Sequence, residues 1–149
     1  MKTTQLKKMV YNHRDLRSVF RGVYACDALP VIPANKTVAL IANTDPAHQS
    51  GQHWVAFYYT PTCVYYFDSY GRPPCNRHLK RMMKYRKRQQ VFGRRLQGLD
   101  GVCGQYCLYF LWAMRYKKDF SRFGDDLNAN DRLVRKLTAT YFLTQHFFK

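Results

Sequence analysis

The sequence predicts an α+β fold, a small antiparallel sheet packed on a central buried helix, with residues 1–149 forming one domain. Three observations carry this expectation. Two β-branched, aromatic runs, His53-Trp54-Val55-Ala56-Phe57-Tyr58-Tyr59 and Cys63-Val64-Tyr65-Tyr66-Phe67-Asp68, flank the break Thr60-Pro61-Thr62, as the strands of an antiparallel hairpin do. The stretch from Cys103 to Tyr116 is apolar nearly all round, which is the pattern of a buried helix rather than an amphipathic one. No repeat, low-complexity tract or linker divides the 149 residues, a length sufficient to bury a real core.

The other elements follow in chain order. Leu6, Met9 and Val10 form one face of a short helix, with Thr3 or Thr4 as its cap. Val19 to Tyr24 reads equally as strand or loop. Asp27-Ala28-Leu29-Pro30 and Pro33 mark a turn region, and Val38-Ala39-Leu40-Ile41-Ala42, bounded by Asn35 and Asn43, has the look of a buried strand. In the hairpin, a centre at Pro61 or at the Thr60–Pro61 bond puts His53 opposite Ser69 or Asp68, within roughly 5 Å of neighbour-strand distance. Arg77 to Gln90 reads as a basic helix with Leu79, Met82 and Met83 on its apolar side, ended by Gly93. Asp100 is the candidate cap of the buried helix. The tail from Asp126 to Phe148 reads as a pair of helical segments, with Leu133, Val134, Leu137, Tyr141, Phe142 and Phe147 as its apolar positions.

Composition narrows the function. The longest apolar run, Cys107 to Met114, is far short of the roughly 20 residues of a membrane span. The N-terminal residues lack a signal core, so a soluble intracellular protein is expected, neither secreted nor membrane-bound. Five cysteines without a C-x-x-C pair argue against a disulfide framework and against a zinc site. Lys and Arg number 25 against nine acids, all Asp, and ten of the basic residues lie in the acid-free stretch from Arg72 to Arg95. Such a concentration points to a polyanion partner, bound non-specifically through Arg77, Lys80, Arg81, Lys84, Arg86, Lys87, Arg88, Arg94 and Arg95. The blander alternative is a solvated helix face.

Candidate chemistry centres on Cys103. A nucleophilic thiol needs a lowered pKa, which a helix N-terminus and a neighbouring imidazole supply, and Gly104 leaves the sulfur open to approach. The hairpin offers His53 as that imidazole and Asp68 as the group that fixes its orientation. Gln97, six residues before Cys103, is placed to join the Cys103 backbone N–H as an oxyanion donor. Taken singly, each has an ordinary reading: a small buried hydrophobe, a structural histidine, a turn aspartate.

Together, in this order, they resemble the clan of cysteine proteases that includes the adenovirus endopeptidase (adenain) and the SUMO-deconjugating proteases. The adenoviral branch is the nearer. Its blocks are matched by Phe20-Arg21-Gly22-Val23-Tyr24, by Val38-Ala39-Leu40-Ile41-Ala42-Asn43-Thr44, by Gly51-Gln52-His53-Trp54-Val55-Ala56-Phe57, and by Cys103-Gly104-Gln105-Tyr106-Cys107-Leu108-Tyr109-Phe110-Leu111. The resemblance implies an endopeptidase with Cys103 as nucleophile, His53 as base, Asp68 as its orienter and Gln97 in the oxyanion hole, with Trp54 beside the pair. It implies cleavage of capsid or core precursors after small residues, at Gly-Gly or Gly-x sites, inside a virion or host nucleus. It implies no required cofactor, and stimulation by DNA and by a short capsid-protein peptide. This chain departs in carrying Asp68 where adenoviral enzymes carry Glu, and in a shorter stretch between acid and Gln. Only Cys75 remains there, which argues against a disulfide-linked activating peptide. A compact relative from another DNA virus or a virus-like transposon fits these departures. The alternatives are a deconjugase of ubiquitin-like modifiers and a non-catalytic basic DNA-binding protein on a protease-like fold.

Overall fold

The computed structural model describes residues 1–46 and 53–143. Along the chain run α1 (Thr3–Tyr11), the short α2 (Arg14–Arg17), β1 (Phe20–Tyr24), β2 (Val38–Asn43), β3 (Trp54–Tyr59), β4 (Cys63–Phe67), α3 (Arg77–Met83), β5 (Arg88–Phe92), α4 (Cys103–Tyr116) and α5 (Leu127–Thr138). The strands form one five-stranded sheet in the order β1-β2-β3-β4-β5. Its centre, β2-β3-β4, is antiparallel as expected, and a parallel partner at each edge, β1 on β2 and β5 on β4, makes the whole sheet mixed.

Period-two alternation explains why both faces of the sheet are covered. Ala39, Ile41, Ala56, Tyr58 and Phe67 point to the face that holds α1, α4 and α5. Leu40, Ala42, Val55, Phe57, Val64 and Tyr66 point to the other, where Leu79, Met82 and Met83 of α3 pack with Leu29 and Ile32. The apolar run of β2 is therefore buried throughout. Helix α4 lies between the sheet and the other helices, which accounts for its lack of a polar side: Phe110 stacks on Phe67 at 4.9 Å, and Leu108, Leu111 and Ala113 are fully buried.

Two local expectations change, at the basic segment and at the α1 cap. The basic segment is not one helix to Gln90: α3 stops at Met83, and Arg88 to Phe92 form β5. Lys, Arg and Gln favour helices only weakly, and here strand pairing with β4 wins. Arg86 fixes the change of direction. Its guanidinium donates to the carbonyls of Thr60 (2.6 Å), Tyr85 (2.9 Å), Pro33 (3.0 Å) and Lys36 (2.9 Å). At α1 the cap is Lys2, whose N–H donates to Gln5 Oε1, and neither Thr3 nor Thr4 caps the helix. The tail contains α5, capped by Asp126 through the Ala129 N–H, running directly into a π-helical turn over Ala139–Leu143. Phe147 and Phe148 lie outside the described residues, as do Gly51 and Gln52. Among the described residues no helix is long and apolar enough to cross a membrane.

Candidate active site

His53 immediately precedes β3, Asp68 immediately follows β4, and Cys103 is the first residue of α4. The hairpin register pairs Ala56 with Phe67 and Tyr58 with Tyr65. Carried on, it sets His53 level with Tyr70, beyond the Ser69 or Asp68 that a centre at Pro61 implied. The two rings indeed lie 4.9 Å apart. The ladder ends at Phe67, and a tight turn closed by Gly71 N–H donating to the Asp68 carbonyl swings the carboxylate back. Asp68 Oδ1 thereby meets His53 Nε2 at 2.7 Å, with both side chains nearly excluded from solvent. Gly71 is required in that turn: its φ is +74°, and a Cβ would meet the backbone of Arg94 and Arg95 at 2.7 Å.

The carboxylate is held from several sides. Tyr70 N–H donates to Oδ1 at 2.8 Å and Arg72 Nε to Oδ2 at 3.3 Å. Burial alone would raise the Asp68 pKa, but these contacts and the imidazole outweigh it, so the group stays below its ordinary value. Burial likewise opposes a charged His53, yet hydrogen bonds to Asp68 and Cys103 raise its pKa to about 9. The Cys103 thiol is shifted in the complementary sense. Its burial is overcome by the His53 hydrogen bond and by the backbone N–H groups of Trp54 (3.5 Å from Sγ) and Gly104, and its pKa falls below 9.0. The opposed shifts both favour the thiolate–imidazolium form, and its titration belongs to the pair.

The start of α4 contributes directly. Its N-cap is Val102, which offers no side-chain acceptor, so the first-turn N–H groups stay available to an anion. Asp100 is not the cap: it pairs with Arg135, and its N–H turns to Asp131. One turn deeper, Cys107 is fully buried and its thiol is pushed well above 9.0, as suits a core side chain.

Gln97 sits in the loop between β5 and α4, 1% exposed. Ser69 Oγ donates to Gln97 Oε1 at 2.5 Å, and the Ser69 carbonyl accepts the Leu96 and Gln97 N–H groups. The rest of the loop is tied to α5. Asp131 accepts from Gly98 N–H (3.1 Å), Asp100 N–H (3.4 Å) and Tyr106 Oη (2.8 Å), and Asn130 Nδ2 donates to the Leu96 carbonyl. Ser69, Tyr70, Arg72 and Asp131 were not identified from sequence. Only the nearness of Ser69 and Tyr70 to Asp68 was there to suggest them.

Beside the site, Trp54 donates its indole N–H to the Met1 carbonyl at 3.3 Å. It walls an open cleft of about 520 Å³ together with Met1, Tyr24 and Asn43. Among the described residues no cluster of three or more metal-ligating side chains occurs.

The basic residues divide into two sets. Arg77, Lys80, Arg81, Lys84, Lys87 and Arg88 are exposed on α3 and the approach to β5, across the sheet from α4. Arg86 faces inward with its donors spent on carbonyls, which corrects its assignment to a phosphate-binding face. Arg94 donates to the Phe123 and Gly124 carbonyls, and Arg95 lies over the Tyr70 ring while its Nε donates to the Gln97 carbonyl, so both brace the site loop.

No family model matches the chain. In sequence it is 27% identical to the protease of snake adenovirus serotype 1, over 70% of this chain and 61% of that protein, so it spans about three fifths of that relative's length. Among solved structures, the ASFV pS273R protease superposes with a TM-score of 0.58 at 15% identity, covering 87% of this chain and 63% of that one. A second crystal structure of that protease aligns over 67% of this chain and 42% of its own, at 23% identity and a TM-score of 0.48. In sequence the chain is thus similar to an adenovirus protease, in line with the resemblance read from the motifs, and it shares its α+β fold with the ASFV pS273R protease.

Proposed function

We propose that the chain is a viral cysteine endopeptidase in which Cys103 is the nucleophile, His53 the acid–base group, Asp68 its orienter and Gln97 an oxyanion donor. The observation that supports this is the Cys103 thiol at a helix start without a side-chain cap, beside an imidazole whose Nε2 meets a buried carboxylate at 2.7 Å. Each shift favours the ion pair that acyl transfer needs.

The reaction follows from that pair. Cys103 Sγ attacks the scissile carbonyl carbon, and the carbonyl π electrons move onto oxygen. The Cys103 backbone N–H and the Gln97 side-chain NH2 stabilise that oxyanion. The oxyanion collapses, the C–N bond breaks, and the His53 imidazolium protonates the departing amine, leaving a thioester. Water, deprotonated by His53, then attacks the thioester. The thiolate leaves, and its pairing with the imidazolium is restored.

The substrates are precursor proteins cut after small residues at Gly-Gly or Gly-x sites during virion maturation, in the particle or host nucleus. DNA is a partner, held non-specifically by Arg77, Lys80, Arg81, Lys84, Lys87 and Arg88. An activating peptide, if used, is held without a disulfide.

The test is cleavage of internally quenched peptides containing Gly-Gly-x, with Cys103→Ala as control. Wild-type cleavage abolished in Cys103→Ala supports the reading. No cleavage of such peptides or of capsid precursors, alongside DNA binding, favours the non-catalytic alternative, and release of a ubiquitin-like modifier favours the deconjugase. For DNA, duplex affinity should fall steeply with salt. It should fall further when the six exposed basic residues become Ser, and an unchanged salt slope would remove that surface from the proposal.

A further inference from the structure

Two groups of the proposed machinery, the imidazole and the oxyanion amide, are anchored by adjacent residues. Asp68 holds His53, and Ser69, fully buried, holds Gln97 by both its hydroxyl and its carbonyl. A primary amide has two orientations of similar shape that exchange its oxygen with its NH2. Only one of them puts donors toward a developing oxyanion, and the other puts a carbonyl oxygen there, which repels it.

We infer that Ser69 is a positioning residue that fixes the orientation of the Gln97 amide, so that its NH2 group is free for the oxyanion. The inference rests on the reading of Gln97 given above. Three observations support it. Ser69 Oγ donates to Gln97 Oε1 at 2.5 Å, and this is the acceptor of the hydroxyl among the described residues. Were the amide reversed, the hydroxyl could accept from the NH2, but its own proton would be left without a partner in a site closed to solvent. The remaining polar groups of the segment are already engaged. The Leu96 carbonyl takes Tyr106 Oη and Asn130 Nδ2, the Gln97 carbonyl takes Arg95 Nε, and the Gly98 N–H takes Asp131. The Gln97 NH2 makes no hydrogen bond among the described residues, as a donor reserved for substrate should.

The amide cannot translate either. Its own backbone N–H and that of Leu96 both bind the Ser69 carbonyl, at 3.1 and 2.8 Å. Removing the hydroxyl therefore leaves the amide in place but free to rotate. The loss should appear in the chemical step, with substrate binding and the thiolate pair unaffected. That separates positioning from a merely structural role, because a disturbed Asp68-Ser69 turn would also alter His53 and hence the reactivity of the thiol.

The experiment compares wild type, Ser69→Ala, Gln97→Ala and the double variant, using a Gly-Gly-x peptide for kcat and KM and iodoacetamide for alkylation of Cys103 as a function of pH. Ser69→Ala should lower kcat about 10-fold with KM unchanged, less than the 10²–10³-fold expected for Gln97→Ala. The double variant should be no slower than Gln97→Ala, and the alkylation profile should be that of wild type in all three. If Ser69→Ala costs its full factor again in the Gln97→Ala background, or slows alkylation in proportion to turnover, Ser69 acts through the fold or through Asp68 and the inference is overturned. Wild-type turnover in Gln97→Ala would instead overturn the oxyanion reading of Gln97, and this inference with it. Should Ser69→Ala fail to fold, Ser69→Thr, which keeps the hydroxyl, carries the same comparison and should retain kcat within about 3-fold; a loss as large as that of Gln97→Ala would count against positioning.

Discussion

Replacing Asp68 by Asn removes one charge from the His53–Cys103 pair and leaves a side chain of the same shape. Orientation should survive. The Tyr70 N–H donates to the same oxygen that meets His53 Nε2, so it keeps an amide oxygen, rather than an NH2, turned toward the ring. What is lost is the field that favours imidazolium. Raising an imidazole from 6.5 to about 9 corresponds to about 3 kcal/mol, achieved against burial and shared between Asp68 and the Cys103 thiolate. If Asp68 supplies half, removing its charge brings the alkaline limit of activity down by about one pH unit. Arg72, at 3.3 Å from Asp68 Oδ2, would then face an uncharged amide and add slightly to that fall. Activity at neutral pH, a full unit below the shifted limit, should fall less than about 2-fold from this cause, whereas His53→Ala should cost nearly as much as loss of the thiol. The assay is kcat/KM against pH for wild type and Asp68→Asn, with Cys103 alkylation followed over the same range. An alkaline limb that does not move would refute the assignment of the His53 shift to the Asp68 charge. A loss as deep as that of His53→Ala would show that the amide misorients the ring.

Other perturbations have distinct signatures. Asp131→Ala leaves the Gly98 N–H without its acceptor in a buried loop and weakens the hold on Tyr106, so about 2–4 kcal/mol of stability and about 10 °C of Tm should be lost; an unchanged melting curve would mean the loop does not depend on it. His13 is fully buried with neither ring nitrogen paired among the described residues, and burial lowers its pKa. The unfolded chain therefore binds the proton more readily, and His13 should make stability fall as pH drops below 6.5, by at most about 1.4 kcal/mol per pH unit. His13→Phe should reduce that acid sensitivity in thermal melts, and an identical pH slope in wild type and variant would rule His13 out as its source. Cys107→Ala should retain activity, because its thiol is held protonated in the core; loss of turnover with the fold intact would argue otherwise.

Much of this site was legible because its residues announce themselves locally. His53 and Asp68 lie on one hairpin, and an apolar stretch opening with Cys103-Gly104 marks a buried helix start. The hairpin register was misjudged because the ladder centres between Pro61 and Thr62, a shift that turn composition alone does not specify. Strand β5 was hidden because Arg88, Gln89 and Gln90 have exposed side chains and helix-compatible composition, so its only strong signal is backbone pairing to β4. Arg86 looked like one more surface cation. Its inward turn depends on the carbonyls of Pro33, Lys36 and Thr60, which no local pattern connects to it. Asp131 likewise belongs to a helix whose sequence says nothing of a distant loop.

The most direct test of the account is trapping of the acyl-accepting thiol. A Gly-Gly peptide vinyl sulfone, incubated with the native chain and mapped by mass spectrometry, should modify Cys103 alone. Modification should be lost in His53→Ala and should leave exposed Cys75 and buried Cys107 untouched. An adduct on Cys75 or Cys107 with Cys103 free, in a preparation that cleaves Gly-Gly-x peptides, would contradict the assignment of the nucleophile.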